Sequence, residues 1–344
     1  MGDIEKRLNT TAFKKASTWG TEVDVDAAGT GILPLNPGAI KHGIVAIEDK
    51  AASAFEHDLD QGDFEAVDFG LEFDLRYEGL GTLIAIIMGT AGAPSQQEAT
   101  DAYLHTLQLA NSIAGLFGTY ATEKKDKIHV VPSVKPYKIT LAPDSGKVKA
   151  TINCLGNKVI DDSSVITGMT SVTVPDLHNR TLARHGVFRM NAQDGAALGS
   201  GDKIKIKDFT IEIERRSMSQ HYESENRSII EPLEEDKPLV KVTLNFNRMD
   251  DTNKAYFSDW NSENEKKMDI VFTGAVIEGA YSYYHKLQFP RLKIEDVDYP
   301  DDNIIPASMV LRGLLADAAP TGMDGITKPL QWDIMNKKTT DMLA

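Results

Sequence analysis

Phe69-Gly-Leu-Glu-Phe-Asp-Leu-Arg-Tyr77 is the stretch on which the reading of this chain turns. Phe69, Leu71, Phe73, Leu75 and Tyr77 alternate with Gly70, Glu72, Asp74 and Arg76. A period of two marks a β-strand with one dry face and one wet face. Val240-Lys-Val-Thr-Leu-Asn-Phe-Asn-Arg248 repeats the pattern, setting Val240, Val242, Leu244 and Phe246 against Lys241, Thr243, Asn245 and Asn247. After each strand the period changes. Gly79 to Met88 suits a helix buried against a sheet, and Asp250 or Asp251 is placed to cap a helix whose apolar side carries Ala255, Tyr256 and Trp260, with Phe257 beside it. Lys203 to Glu214 alternates too, but its phase slips at Lys207-Asp208, which predicts a β-bulge.

Other segments pair in the same order along the chain. Gly31 to Asn36 matches Gly186 to Asn191, and Tyr103-Leu-His-Thr-Leu-Gln-Leu109 matches Tyr283-Tyr-His-Lys-Leu-Gln-Phe289. Lys135-Pro-Tyr-Lys-Ile139 resembles Pro290-Arg-Leu-Lys-Ile294, and Ala150 to Gly156 resembles Ala307 to Gly313. Ordered self-similarity predicts two copies of one domain: an arm at 1–30, copy one at 31–157, a linker at 158–185, copy two at 186–316 and an arm at 317–344. The fold expected is mainly β, with two tandem antiparallel sandwich or partial-barrel domains, each with a flanking α-helix. Asp49 to Val67 and Arg215 to Pro238 are long segments at corresponding positions, which points to a shared contact role.

Composition narrows the functions. With 51 acidic against 37 basic side chains the formal charge is -14, which disfavours gripping phosphates. Leu83 to Met88, the longest apolar run, is too short to cross a bilayer and no signal segment opens the chain, so a soluble protein made in a cytoplasm is expected. The single Cys154 has no partner for a disulfide, and the histidines are scattered without metal-ligand spacing. His105 and His285 recur at matched positions, which a structural histidine explains. Asp58-Leu-Asp60-Gln-Gly62-Asp63 and Asp298 to Asn303 offer oxygens for calcium but complete no EF-hand loop, and solvated acidic turns account for them. Glycine patterns lack phosphate-cradling spacing, and Gly-x-Ser-x-Gly is absent. Glu72 and Asp74 share a strand face at a spacing compatible with glycosidase chemistry, but the corresponding face of copy two carries Thr243 and Asn245, and a wet sheet face explains the pair at no cost. The expectation is a non-enzymatic protein with no cofactor and no metal.

Thr18-Trp19-Gly20-Thr21-Glu22, then Phe73-Asp-Leu-Arg-Tyr-Glu-Gly-Leu80, Gly201-Asp-Lys-Ile-Lys-Ile-Lys-Asp-Phe209, Ile229-Ile-Glu-Pro232, Val242-Thr-Leu-Asn-Phe-Asn-Arg248, Phe289-Pro-Arg-Leu292 and Ile305-Pro-Ala-Ser308 form an ordered set. From about Trp19 to Ala316 it resembles the tail tube proteins of long, non-contractile-tailed bacteriophages. The resemblance implies a virion protein, assembled in the host cytoplasm, that forms stacked rings with a continuous β-barrel as the inner wall of a conduit for DNA. A duplicated member would close as a homotrimer with pseudo-sixfold symmetry. It further implies partners: other copies of itself, a tape-measure protein in the lumen, tail-terminator and distal tail proteins at the ends, and transient double-stranded DNA, with no membrane. The wet faces then give lumen candidates Glu72, Asp74, Arg76, Lys241, Thr243, Asn245 and Asn247, and the long segments give inter-ring candidates Phe55, Glu56, Asp58, Asp60, Arg215, Gln220, Tyr222, Glu225, Arg227 and Glu231. The competing expectations are a related ring component at a tail end and a carbohydrate- or surface-binding β-sandwich.

Overall fold

A computed structural model describes residues 10–36, 40, 43–48, 58–124, 127–174, 180–216, 218–247, 255–298 and 307–344. The protein is mainly β. The first part of the chain forms β1 (Thr11–Ala16), β2 (Ile44–Glu48), β3 (Leu59–Phe64), β4 (Val67–Asp74), α1 (Gly81–Met88), β5 (Pro94–Gln96), β6 (Tyr103–Gln108), β7 (Phe117–Lys124), β8 (Lys127–Asp144) and β9 (Lys147–Gly156). The second part forms β10 (Gly186–Ala192), β11 (Lys203–Ile204), β12 (Asp208–Glu214), β13 (Leu239–Phe246), α2 (Ala255–Asn261), β14 (Lys266–Glu278), β15 (Tyr281–Asp298), β16 (Ala307–Gly313) and β17 (Gln331–Asn336). The hairpin β2–β3 stands apart, and the other strands join in one antiparallel network. Among the described residues no helix is long and apolar enough to cross a membrane.

The predicted helices are present. In α1, Leu83 to Met88 are all buried, and Gly89 closes the helix at φ 77° with its N–H on the Ala85 and Ile86 carbonyls. A helix apolar on every side needs cover on every side, and it lies under the sheet in the main core. Asp250 and Asp251, the expected caps of α2, lie outside the described residues.

Strand pairing follows one path in each half. In the first half β1 pairs β7, β7 pairs β8, β8 pairs β9 and β9 pairs β4. The second half repeats this with β10, β14, β15, β16 and β13. Even the irregularities coincide. Gly118↔Val134 is followed by Tyr120↔Val131, as Lys266↔Leu292 is followed by Met268↔Phe289. Tyr137 is skipped in β8 where Glu295 is skipped in β15, each after three regular pairs counted from Gly156 and Gly313. Ala150 to Gly156 therefore stands where Ala307 to Gly313 stands. Phe69 faces Cys154 as Val242 faces Leu311, two residues from the sequence match, and an even shift keeps every side chain on its face.

Two of the sequence matches fail on this path. Gly186 to Asn191 lies in β10, whose place in the first half belongs to β1 and not to Gly31 to Asn36. That segment instead behaves like Lys203 to Asp208: Gly31 bridges Ala12 as Lys203 pairs Arg189, and Leu35 N–H donates to Glu72 O at 2.6 Å as Lys207 N–H does to Asn245 O at 2.7 Å. Tyr103 to Gln108 forms β6, a separate strand, whereas Tyr283 to Gln288 opens the long β15. Both flank β17 in one register, with Ile334 between His105 and His285, Trp332 between Leu107 and Leu287, and Gln331 between Gln108 and Gln288.

The expected arms are built into the sheet as β1 and β17. Within the linker, Ile160 bridges Val130, and Ile166 and Met169 are buried with Ala12, Val25 and Ala121. The phase slip at Lys207-Asp208 is not a bulge within one strand. There the chain leaves β10, the partner of β11, for β13, the partner of β12. Asp49 to Val67 is not wholly a loop, since it contains β3.

His285 ties β15 to β17 and to the segment just after β4. Trp332 Nε1–H donates to its Nδ1 at 3.1 Å, and its Nε2–H donates to Arg76 O at 3.0 Å, which fixes the neutral imidazole because tryptophan can only donate. Burial pushes its pKa down from 6.5 to about 4. Protons therefore bind the unfolded chain more readily across that window, and stability present above the unfolded value drains away as pH falls toward the folded one. Urea melts should show a loss approaching about 3 kcal/mol, from 1.36 kcal/mol per pKa unit. His285→Asn should start less stable and lose this part of the pH dependence.

Candidate functional site

Strands of both halves meet in one sheet, in the order β4, β9, β8, β12, β13, β16, β15. Its dry side carries the row Leu71, Ile152, Ile139, Ile213 and Val240, all fully buried or nearly so. One position along, the register aligns Glu72, Thr151, Thr140, Glu212, Lys241, Arg312 and Lys293. Alternation in each strand thus becomes one polar face crossing the whole chain.

Four lumen candidates, Glu72, Lys241, Thr243 and Asn245, lie on this face within β4 and β13. Asp74 does not present a wet carboxylate as expected. It is 7% exposed, with Lys147 Nζ at 3.0 Å and Arg180 Nε at 3.3 Å. Arg76 falls past the end of β4 and bridges Arg180, and Asn247 is exposed past the end of β13. Thr140, Thr151, Glu212 and Arg312 were missed. Their strands show the same alternation in sequence, but which strands neighbour β4 and β13 is decided only by pairing.

Cations on the face are held by carboxylates. Lys149 meets Glu72 at 3.0 Å, Lys138 lies between Glu212 and Glu214, and Lys293 meets Glu263 at 2.9 Å. Arg312 and Lys241 reach Glu295 at 3.6 and 4.0 Å. Half-exposed pairs of this kind add little stability. Their effect is on charge distribution: a phosphate approaching any of these bases meets a carboxylate competing for it.

The two long segments touch each other. Tyr222 donates its hydroxyl to Phe64 O at 2.8 Å, and Phe64 N–H donates to Arg227 O at 2.7 Å. Arg227 donates Nε–H to Gly62 O at 2.9 Å and stacks over the Phe64 ring at 4.9 Å. Asp58, Asp60, Gln220 and Glu225 are exposed, and Phe55 and Glu56 lie outside the described residues. Arg215 and Glu231, predicted as contact residues, turn inward. Arg215 is fully buried, donating to Ile87 O at 2.7 Å and Ala110 O at 2.8 Å beside Glu234 at 3.5 Å, so it satisfies the carbonyl end of α1. Glu231 accepts from the buried Lys135 and from Gly115 N–H at 2.7 Å.

No group of acidic, histidine and cysteine side chains suited to a metal occurs among the described residues. His105 is buried with its ring nitrogens on Gly92 O and Lys338 O, and burial pushes the Cys154 thiol far up. A cleft of about 720 Å³ is bordered by Ser112, Glu234, Arg312 and Lys328, with no His or Cys on its walls.

Arg215→Ala should destabilise the chain by about 3–5 kcal/mol, the usual result of leaving one member of a buried ion pair behind. Arg215→Lys should recover only part, because one ammonium cannot reproduce the forked donation to two carbonyls. Denaturant titration of the three proteins measures both. No protein-family model matches the chain, and no curated protein sequence matches it.

Proposed function

We propose that this chain is a non-enzymatic structural subunit that self-assembles into stacked rings forming a bacteriophage tail tube, the conduit for DNA. The observation that carries this reading is the continuous sheet spanning both halves, dry on one side and polar on the other, in which, among the described residues, no strand pairs β4 opposite β9 or Asp296–Asp298 opposite β16. A sheet of that form is a wall segment. Copies joined edge to edge would form a closed wall with no strand edge left to aggregate. The repeated pairing path, with its coincident irregularities, supports the further reading that the halves are copies of one domain, so that three chains give a pseudo-sixfold ring.

The polar face suits a bore. Duplex DNA must pass without sticking, and each phosphate neutralised by a free Lys or Arg adds affinity. Here Lys138, Lys149, Lys241, Lys293 and Arg312 each have a carboxylate nearby, and Glu72, Glu212, Asp296 and Asp298 extend a repulsion reaching about 8 Å at physiological salt. The hairpin β2–β3 and the residues around Gln220 to Glu225 offer the longitudinal reach for stacking. The tape-measure, tail-terminator and distal tail proteins are the partners this role requires. The site of action is the virion tail.

Negative-stain imaging of purified protein should reveal long tubes. Discrete rings would favour a component at a tail end, and a persistent monomer would overturn self-assembly. Tubes should not co-sediment with duplex DNA. Glu72→Lys with Glu212→Lys should assemble normally yet bind DNA at least tenfold more at low salt, with binding lost as salt rises. Tight binding by the unaltered tube would overturn the bore assignment.

A further inference from the structure

We infer that residues 337–344 form a strap latched to the fold by His105 in its protonated form, so that the strap closes as pH falls and loosens as pH rises. The inference concerns the single chain and does not depend on the assembly proposed above. His105 and His285 stand at the same level on either side of Ile334. Their rings nonetheless meet opposite demands. His285 has one donor and one acceptor, Trp332 Nε1–H and Arg76 O, and a neutral imidazole satisfies both. His105 has two acceptors: Nδ1 lies 2.7 Å from Gly92 O, and Nε2 lies 3.0 Å from Lys338 O. A carbonyl oxygen cannot donate. A neutral ring therefore bonds one of them and turns a lone pair on the other, whereas the imidazolium donates from both nitrogens and holds both. The side chain is fully buried, so bulk water does not replace a lost partner.

Burying a cation is costly unless its hydrogen bonds are made. The fold makes that provision for the segment ahead of β17, where Lys267, also fully buried, donates to Gly195 O at 2.6 Å and to Thr321 O at 3.1 Å. His105 does the same for the segment after β17, with the difference that an imidazole exchanges its proton near neutral pH. Beyond Lys338 the strap is anchored by packing. Met342 and Leu343 are buried in the main core, Met342 N–H donates to Ala91 O at 2.7 Å, and a methyl group at Gly81 would collide with Met342 Sδ. Gly81 opens α1 and Ala91 follows its end, so the strap touches the chain on both sides of that helix. The ring bonds Gly92 and Lys338 at once, which ties the strap to the turn beneath it. Closing takes up a proton, and by linkage removing that proton favours opening.

Charged side chains on the elements around the ring are few. The strap carries Lys337, Lys338 and Asp341, and Glu78, ahead of α1, borders the same cleft as Lys337 and Lys338. Asp333 of β17 is turned by alternation to the face opposite Ile334. Residues 81–97 carry no charge, and β6 carries none besides His105. Lys338 is the competing titration, because burial pushes its amine down against the pull of Asp341.

Hydrogen exchange of the full chain, read by mass spectrometry on peptides covering residues 337–344 and corrected for the intrinsic effect of pH, tests the latch. Protection there should fall about tenfold or more between about pH 5.5 and about pH 8, the interval in which an imidazole loses its proton. His105→Gln, which cannot titrate, should remove this dependence. His285→Asn should keep it, as should Lys338→Met, which retains the backbone carbonyl. Equal protection at both pH values overturns the latch, and so does a dependence that survives His105→Gln or disappears with Lys338→Met. Should His105→Gln fail to fold, the ring itself decides. Nitrogen-15 spectra of the unaltered protein at about pH 5.5, where His285 stays neutral, should show both His105 nitrogens protonated. A neutral His105 tautomer there overturns the inference.

Discussion

Everything in this fold depends on β12 having two partners from different halves of the chain. A strand of seven residues, Asp208–Glu214, is hydrogen-bonded along β13 on one edge and along the end of β8 on the other. Its inward side chains, Phe209, Ile211 and Ile213, are buried, and its outward ones, Thr210, Glu212 and Glu214, continue the polar face. The halves are thus joined by an uninterrupted ladder, not by a flexible connection. Register is specified by one buried side, so a slip by one residue would turn the isoleucines to solvent and the glutamates into the core.

Charge is arranged around that ladder to the same end. Lys138, the first β8 residue opposite β12, sits between Glu212 and Glu214, so an ion pair links the halves beside the ladder. Buried charge is used differently. Arg215, immediately after β12, turns beneath the sheet to the last carbonyls of α1, and Lys135 does similar work for Glu231 and Pro232. These two cations lock the long segment after β12 against the first half of the chain. Its outer part, around Gln220 to Arg227, is exposed but is tied to β3 through Tyr222 and Arg227.

The alternation of Phe69 to Tyr77 and Val240 to Arg248 gave away the strands, and the hydrophobic run to Met88 gave away the buried helix. Ala150 to Gly156 and Ala307 to Gly313, matched in sequence, also pair in corresponding registers. The match of Tyr103 to Leu109 with Tyr283 to Phe289 misled for a physical reason. Both segments face β17 with identical register, although one is a separate strand and the other opens β15. β17 itself was hidden, since Gln331 to Asn336 is buried on both faces and so has no alternation to read. Asp74 was misjudged because its two cations, Lys147 and Arg180, arrive from distant parts of the chain.

The position of β17 bears on when the molecule becomes whole. Gln108 of β6 waits for Gln331, 223 residues later, and neither β6 nor the first part of β15 is covered on that side until β17 enters between them. Contacts this remote in sequence form slowly, because the loop must close before the pairing rewards it. During synthesis, most of the polar face can form while this part of the network still lacks its middle strand. The seam at Trp332 is therefore a completion mark, and in a nascent chain short of it β6 has β5 on one edge and an open edge where β17 will lie.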